Sequence, residues 1–173
     1  MTNLKILVVG QGGREHALVK ALKESPSVPQ VHCAPGSSGM AKEALCHPDK
    51  VENKQICELS KNLNIDLVVI GPEAYLAKGL ADELRQAGID VFGPNQTAAQ
   101  LEASKIFAKK FMVKAGVPTA PYVEVRSVEQ VESSAHQFTP PYVLKADGLA
   151  AGKGVFICHT KEELLASARK IFL

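Results

Sequence analysis

The sequence contains no tryptophan, and aromatic residues make up only 5% of its 173 positions. Base-stacking platforms, aromatic sugar clamps and an aromatic belt at a membrane interface all need more than this. A ligand of this chain is therefore expected to be held by backbone groups and charge. Long apolar runs are missing too. The longest, residues 6–9 and 67–70, fall far short of the ~20 residues of a spanning helix, so no membrane association is expected. The opening Met1-Thr2-Asn3-Leu4-Lys5 lacks the charge, apolar core and cleavage pattern of a signal peptide, which makes the cytoplasm the expected location. An excess of one charge is absent as well: 20 Lys and Arg face 18 Asp and Glu. The resulting +2 is too small a bias to imply a nucleic-acid partner. Among the cysteines, Cys33, Cys46, Cys57 and Cys158, there is no C-x-x-C pair, and reduced thiols are expected. Cys46-His47 with Cys57 lacks the paired spacing of a structural zinc site, the five histidines show no metal spacing, and no Ser-His-Asp order is visible. No metal site is expected.

What is present is an ordinary globular composition, 46% apolar and 22% charged, with a length that suits one full domain and part of a second. Residues 4–9 form a continuous β-rich run, broken by Gly10-Gln11-Gly12-Gly13 before a helical pattern over 14–24. A second strand over 31–34 closes on Pro35-Gly36-Ser37-Ser38-Gly39. A helix over 53–63 precedes a buried strand over 66–70, which ends at Gly71-Pro72-Glu73. A helix over 77–86 and a strand over 89–92 follow. Continuous apolar strands alternating with helices predict an open parallel sheet covered on both faces, an α/β domain over residues 1–96. Ligands of such sheets bind outside the carboxyl ends of the strands, where residues 10–14, 35–39 and 71–73 all fall. Residues 97–121 read as a helical connector, broken near Ser104 and stopped by Gly116-Val117-Pro118. Residues 122–173 then suggest a small α+β unit. It has strands over 122–125, 142–146 and 155–158, a helix over 128–137, and a last helix opening at Thr160 with Glu163 three residues on. Its apolar end at Ile171-Phe172-Leu173 suggests a truncated second domain.

Two glycine loops carry the chemistry. Gly10-Gln11-Gly12-Gly13-Arg14-Glu15 matches the first two glycines of a dinucleotide fingerprint, but Glu15 stands at the third position. The second strand also offers no acid for a ribose, so a nicotinamide dinucleotide is disfavoured. What survives is a glycine turn feeding a helix N-terminus, whose free amides and dipole favour a phosphate or phospho-sugar. Arg14 in that first turn is unfavourable against the dipole, which makes sense if it touches an anion; a tight turn with a solvated arginine is the plainer alternative. Glu73, at another strand end, could accept hydrogen bonds from sugar hydroxyls or an amine, or serve only as a helix-start acid. The second loop, between two strands, carries Gly148, Gly152, Lys153 and Gly154, with Lys145 on the preceding strand. It is one residue short of a Walker loop and lacks its hydroxyl. It can still fold over a polyphosphate with amides and two cations, or be a flexible hairpin with solvated lysines.

Taken together, Gly12-Gly13-Arg14-Glu15-His16-Ala17, Pro35-Gly36, Gly71-Pro72-Glu73-Ala74, Lys78-Gly79, Phe92-Gly93-Pro94, Ser104-Lys105 and the run Lys145-Ala146-Asp147-Gly148-Leu149-Ala150-Ala151-Gly152-Lys153-Gly154-Val155 resemble the glycinamide ribonucleotide synthetase (phosphoribosylamine-glycine ligase) family of the ATP-grasp superfamily. The motifs run in family order over the whole chain. The resemblance implies a Rossmann-like pre-ATP-grasp domain followed by an incomplete ATP-grasp α+β subdomain. It also implies ATP-dependent joining of glycine to 5-phosphoribosylamine through a glycyl phosphate, in purine biosynthesis. By that likeness Gly12, Gly13, Arg14, Glu15, Gly71, Pro72 and Glu73 would bind the phosphoribosylamine. Lys105, Lys145, Gly148, Gly152, Lys153 and Gly154 would hold ATP. Magnesium ligands, the adenine hinge and the glycine site are expected beyond residue 173, no catalytic residue is assigned, and the chain alone is expected to be inactive. Two positions depart from the family pattern: Ser37 stands where Asn usually follows Pro-Gly, and Tyr75 where Pro usually follows Glu-Ala. The competing class is a non-catalytic phosphoribosyl- or nucleotide-binding module.

Overall fold

A computed structural model of the chain describes residues 4–28, 30–150 and 152–172. Met1, Thr2 and Asn3 of the opening stretch, Ala151 of the second glycine loop and Leu173 of the apolar end lie outside the described residues. The chain divides into two compact units, Met1–Ala99 and Gln100–Leu173.

The first unit is built on five parallel strands: β1 (Lys5–Gly10), β2 (Gln30–Pro35), β3 (Leu45–Cys46), β4 (Leu67–Ile70) and β5 (Asp90–Phe92), in the order β3-β2-β1-β4-β5. Helices α1 (Gly13–Lys23), α2 (Asn53–Asn62), α3 (Glu73–Ala77) and α4 (Leu80–Gln86) connect them. The central strand explains its own sequence. Leu7 and Val9 belong to one core cluster with Ile56, Leu80 and Leu84, while Ile6 and Val8 belong to another with Val19 and Met40. Both faces are covered, so β1 reads as a continuous apolar run. Each such side chain contributes about 1.5–3 kcal/mol of burial. The register pairs Gly10 with Pro35 and Val9 with Ile70, so the glycine turn after β1, the loop after β2 and residues 71–73 leave the sheet side by side.

Local differences from the expected elements have local causes. The helix expected over 77–86 starts later, at Leu80, because Gly79 adopts a left-handed φ of 83° at its N-cap, and a separate short helix, α3, precedes it. The strand β3 and a 3₁₀ turn at Met40–Lys42 are too short to leave a periodic signal.

The second unit contains α6 (Lys105–Lys114), α7 (Val128–Ser134), α8 (Lys161–Phe172) and the antiparallel pair β6 (Tyr142–Lys145) and β7 (Val155–Cys158). Helix α5 (Gln96–Ala103) carries the division between the units. The break at Ser104 is an N-cap: its Oγ accepts from Phe107 N–H at 3.1 Å. Leu144 and Cys158 pack with Val131, Ala135, Leu164 and Ala168. The strand expected over 122–125 is not formed. That stretch is held by side chains instead, with Lys110 and Arg126 both on the Glu124 carboxylate at 2.8 and 2.7 Å. At the start of α8, Glu163 N–H donates to Thr160 Oγ1, and the Glu163 carboxylate accepts from His159 N–H. Among the described residues no helix is long and apolar enough to cross a membrane.

One polar pair sits at the sheet edge. His32 Nδ1 lies 3.1 Å from His47 Nε2, with the rings stacked at 5.4 Å. Burial first, then the neighbouring charges of His47 and Lys5, push the His32 pKa below its ordinary 6.5. A histidine whose folded pKa is depressed stays neutral in the fold while the unfolded chain takes up the proton. Its stabilising contribution is therefore full above pH 6.5 and is lost as pH falls through the lower folded value. We expect the urea midpoint to drop below that pH, and to drop less steeply in His32→Gln. Parallel midpoint-against-pH curves for the two proteins would show the model of this pair to be wrong.

Candidate functional site

The first glycine loop is organised by a carboxylate. Gly12 caps α1, and the side chain of Glu15 folds back so that Oε2 accepts from Gly12 N–H at 2.7 Å. Glu15 is 3% exposed. It occupies space that glycines leave open: a Cβ at Gly10 would stand 2.5 Å from Glu15 Cγ, and one at Gly71 would meet the same atom equally closely. Gly10 also adopts a φ of 128°. The acid at the third fingerprint position is thus a wedge between the ends of β1 and β4, and the glycine missing there has counterparts at 10 and 71. Its other oxygen, Oε1, is buried with no hydrogen-bond partner among the described residues.

Around this wedge lies a cavity of about 570 Å³, lined by Gly10, Gln11, Gly12, Gly13, Arg14, Glu15, Pro35, Val51, Pro72, Glu73 and Tyr75. Six of the seven residues assigned to the phosphoribosylamine by resemblance line it; Gly71 stands behind Glu15 and gives it room. The Arg14 guanidinium and Glu73 Oε2 are 3.4 Å apart, with side chains 75% and 42% exposed. An ion pair this open is worth no more than about 1 kcal/mol, so an incoming anion could take over the arginine at small cost. The first-turn amides of α1 have no partners within the helix and, with the helix dipole, favour negative charge beside Arg14. Val51 and Tyr75 were not anticipated as lining residues. Val51 precedes a helix reached only through the sheet, and no local pattern marks it. Tyr75 showed only as a departure from the family.

The second glycine loop belongs to the second unit, and its base is fixed by contacts between two of the motif segments, Ser104-Lys105 and the Lys145–Val155 run. The Asp147 carboxylate accepts from Ser104 Oγ at 3.0 and 3.1 Å and from Ile106 N–H at 3.2 Å. Burial raises the Asp147 pKa, but the donors from Ile106, Ser104, Lys105 and Gly148 outweigh it and hold the carboxyl below its ordinary 3.8. Lys105 Nζ donates to the Gly148 carbonyl at 2.8 Å, so one of its three protons braces the loop. Gly148 and Gly152 have φ of 92° and 79°, and a Cβ at Gly154 would stand 2.7 Å from Ala150 Cβ. Lys145 and Lys153 are exposed. Amides and cations in this loop suit a polyphosphate. Among the described residues no cluster of three or more His, Cys, Asp or Glu side chains could hold a metal ion, so no magnesium site is assigned here.

With this geometry in view, the family models are informative. The phosphoribosylglycinamide synthetase N domain matches residues 4–102, and the ATP-grasp (A) domain of the same synthetase matches residues 103–173. A phosphoribosylamine–glycine ligase of Streptomyces coelicolor is 47% identical over 166 residues, which is 95% of this chain and 40% of that protein. The crystal structure of the Thermotoga maritima phosphoribosylamine–glycine ligase superposes with a TM-score of 0.75 at 35% identity, over 94% of this chain and 38% of that one. The biotin carboxylase domain of Hydrogenobacter thermophilus 2-oxoglutarate carboxylase, in a complex containing MgADP, shares the fold. Its TM-score is 0.79 at 22% identity, over 99% of this chain and 41% of that one. The chain therefore spans about two-fifths of the length of these proteins.

The wedge makes a direct prediction. Gly71→Ala drives a methyl group into a Glu15 side chain that Gly10 blocks from behind, and overpacking of this kind costs about 1–3 kcal/mol. Urea denaturation should show that loss in the wild-type background and a smaller one in Glu15→Ala. Equal losses in both backgrounds would mean that the two positions do not share space.

Proposed function

The chain belongs to the phosphoribosylglycinamide synthetase family, and from that premise we propose that it supplies the phosphoribosylamine crevice and part of the nucleotide grip for the ATP-dependent ligation of glycine to 5-phosphoribosylamine in purine biosynthesis. Turnover is proposed for the longer proteins of the family; for this chain the proposal is limited to binding. The observation that carries it is that a helix start with Arg14 beside it and a buried and a half-buried carboxylate surround one cavity.

In this reading the Gly12-Gly13 turn and the first amides of α1 receive the 5-phosphate, and Arg14 leaves Glu73 to pair with it. Glu73, released from the arginine, accepts from a ribose hydroxyl or the amine. Glu15 Oε1, already desolvated and without a partner, takes a second donor from the same sugar; an acceptor already stripped of water gains the full hydrogen bond when a donor arrives. Pro72 and Gly71 keep the Glu73 backbone against the strand end. ATP supplies the phosphoryl group that activates the glycine carboxylate. Lys105, Lys145, Lys153 and the amides at Gly148, Gly152 and Gly154 would hold its phosphates, with Asp147 fixing the loop beneath them. Magnesium and a cytoplasmic setting complete the proposal, supported by the ligase family to which the chain belongs and by the MgADP held in the biotin carboxylase relative.

Calorimetric titration of the chain with ribose 5-phosphate tests the crevice. Arg14→Ala should weaken binding by about 1.5–3 kcal/mol, the range for a hydrogen bond to a charged group. Lys153→Ala should leave it unchanged, since that residue is assigned to the nucleotide. If Arg14→Ala binds as tightly as wild type, the phosphate does not sit at the start of α1.

A further inference from the structure

Two thiols lie side by side beneath the loop that follows β2. Cys33 and Cys46 are direct partners in the parallel register of β2 and β3, so their side chains leave the sheet on the same face. Gly36, at a φ of 75°, passes over both: the position of a Cβ there is 3.0 Å from Cys33 Cβ, 3.0 Å from Cys46 Cβ and 2.5 Å from Cys46 Sγ. Both Cβ atoms thus crowd one point. Neighbouring strands stand about 4.7–4.9 Å apart, inside the 4.4–6.8 Å between Cα atoms that a disulfide spans. The two thiols differ in access. Cys33 is fully buried, and its pKa is pushed up to about 12 by burial, by the Cys46 charge and by a hydrogen bond with Cys46. Cys46 is half-buried at the sheet edge, with its sulfur 3.7 Å from the Ser37 carbonyl. The other thiols, Cys57 on α2 and Cys158 on β7, have no cysteine as a register partner.

We propose that Cys33 and Cys46 form a reversible dithiol–disulfide site, oxidised by peroxides through Cys46 and resolved by Cys33. The half-buried Cys46, as thiolate, attacks a peroxide oxygen; the S–O bond forms, the O–O bond breaks, and hydroxide leaves as water after taking a proton. The Cys33 sulfur then attacks the Cys46 sulfenic acid. The S–S bond forms, the S–O bond breaks, and the departing hydroxide carries away the Cys33 proton as a second water. Two thiols lose two electrons and two protons, and one hydrogen peroxide becomes two waters. The bridge would be reduced again by a dithiol through thiol–disulfide exchange. It would tie the two-residue edge strand covalently to β2, directly under Gly36, whose N–H donates to Gly10 O at 3.1 Å beside the Glu15 wedge.

The test is peptide mapping of the 173-residue chain after a small molar excess of hydrogen peroxide and alkylation of the remaining thiols. The expected product is an intramolecular Cys33–Cys46 link, lighter by two hydrogen atoms. Two of the four thiols should be lost, and dithiothreitol should restore both. Cys46→Ser and Cys46→Ala should abolish the link, while Cys57→Ser should leave it intact. Phenylarsine oxide, which needs two thiols within reach of one arsenic, should be captured by wild type and by Cys57→Ser and not by Cys46→Ala. Oxidation that stops at a Cys46 sulfinic acid, a link through Cys57 or Cys158, or only intermolecular links would overturn the proposal. Folding of each variant is checked by circular dichroism, and the wild-type map decides the question even if a variant fails to fold.

Discussion

The first unit turns on one carboxylate wedged where three chain segments meet. Glu15 reaches from the first turn of α1 into the space between Gly10, at the end of β1, and Gly71, at the end of β4, and holds Gly12 N–H with one oxygen. A buried carboxylate with an unsatisfied oxygen is costly, of the order of 1–3 kcal/mol or more. Hydrophobic packing of β1 and β4 on both faces must carry that cost. The return is positional. Because the wedge leaves no slack at Gly10 or Gly71, the residues on either side of it, Arg14 and Pro72-Glu73, are delivered to one cavity from two helices far apart in the chain.

The two glycine loops solve different problems with the same residue. In the first, glycine makes room: Gly10 and Gly71 lack side chains because Glu15 fills the volume they would need. In the second, Gly148 and Gly152 supply left-handed backbone, and the fixed part is the base, where Asp147 ties the loop to the start of α6 through Ser104 and Ile106. The first loop is therefore set by packing and the second by hydrogen bonds at its root. A strand-to-strand loop with a pinned base can lay its amides over a ligand while its tip adapts.

How much of this was legible depends on the distance over which each cause acts. The parallel sheet could be read because β1, β2 and β4 are buried on both faces and their apolar runs are local facts. The convergence of residues 10–14, 35–39 and 71–73 followed from sheet topology alone. Glu15 was legible only as a failed glycine, since what makes it fit is Gly71, on a strand that no local window includes. The split of α3 from α4 turned on the backbone angle of a single glycine, and β3 is too short for any period. Residues 122–125 look like a strand by composition but meet Lys110 and Arg126 instead of a partner strand. Ser104 showed in the sequence only as a break in a helical pattern and part of a family-like pair, and Asp147 only as part of a family-like loop. That one answers the other is a tertiary fact.

The same separation of local from distant causes bears on how the crevice meets an anion. The backbone of the site is preorganised, since the helix start and the wedge are in place without ligand. The charged tips are not: Arg14 is 75% exposed and, among the described residues, paired with Glu73. Preorganised amides lower the ordering cost of binding, whereas an exposed arginine must give up water, rotamer freedom and its acidic neighbour. The neighbour changes the balance, because it already holds the guanidinium over the cavity beside α1. Part of the ordering has been met before any ligand arrives, and in the proposed reading the acid set free would serve as an acceptor in the same cavity. A single exposed ion pair of little worth to stability can thus present a cation and an anion to the two ends of one polar ligand.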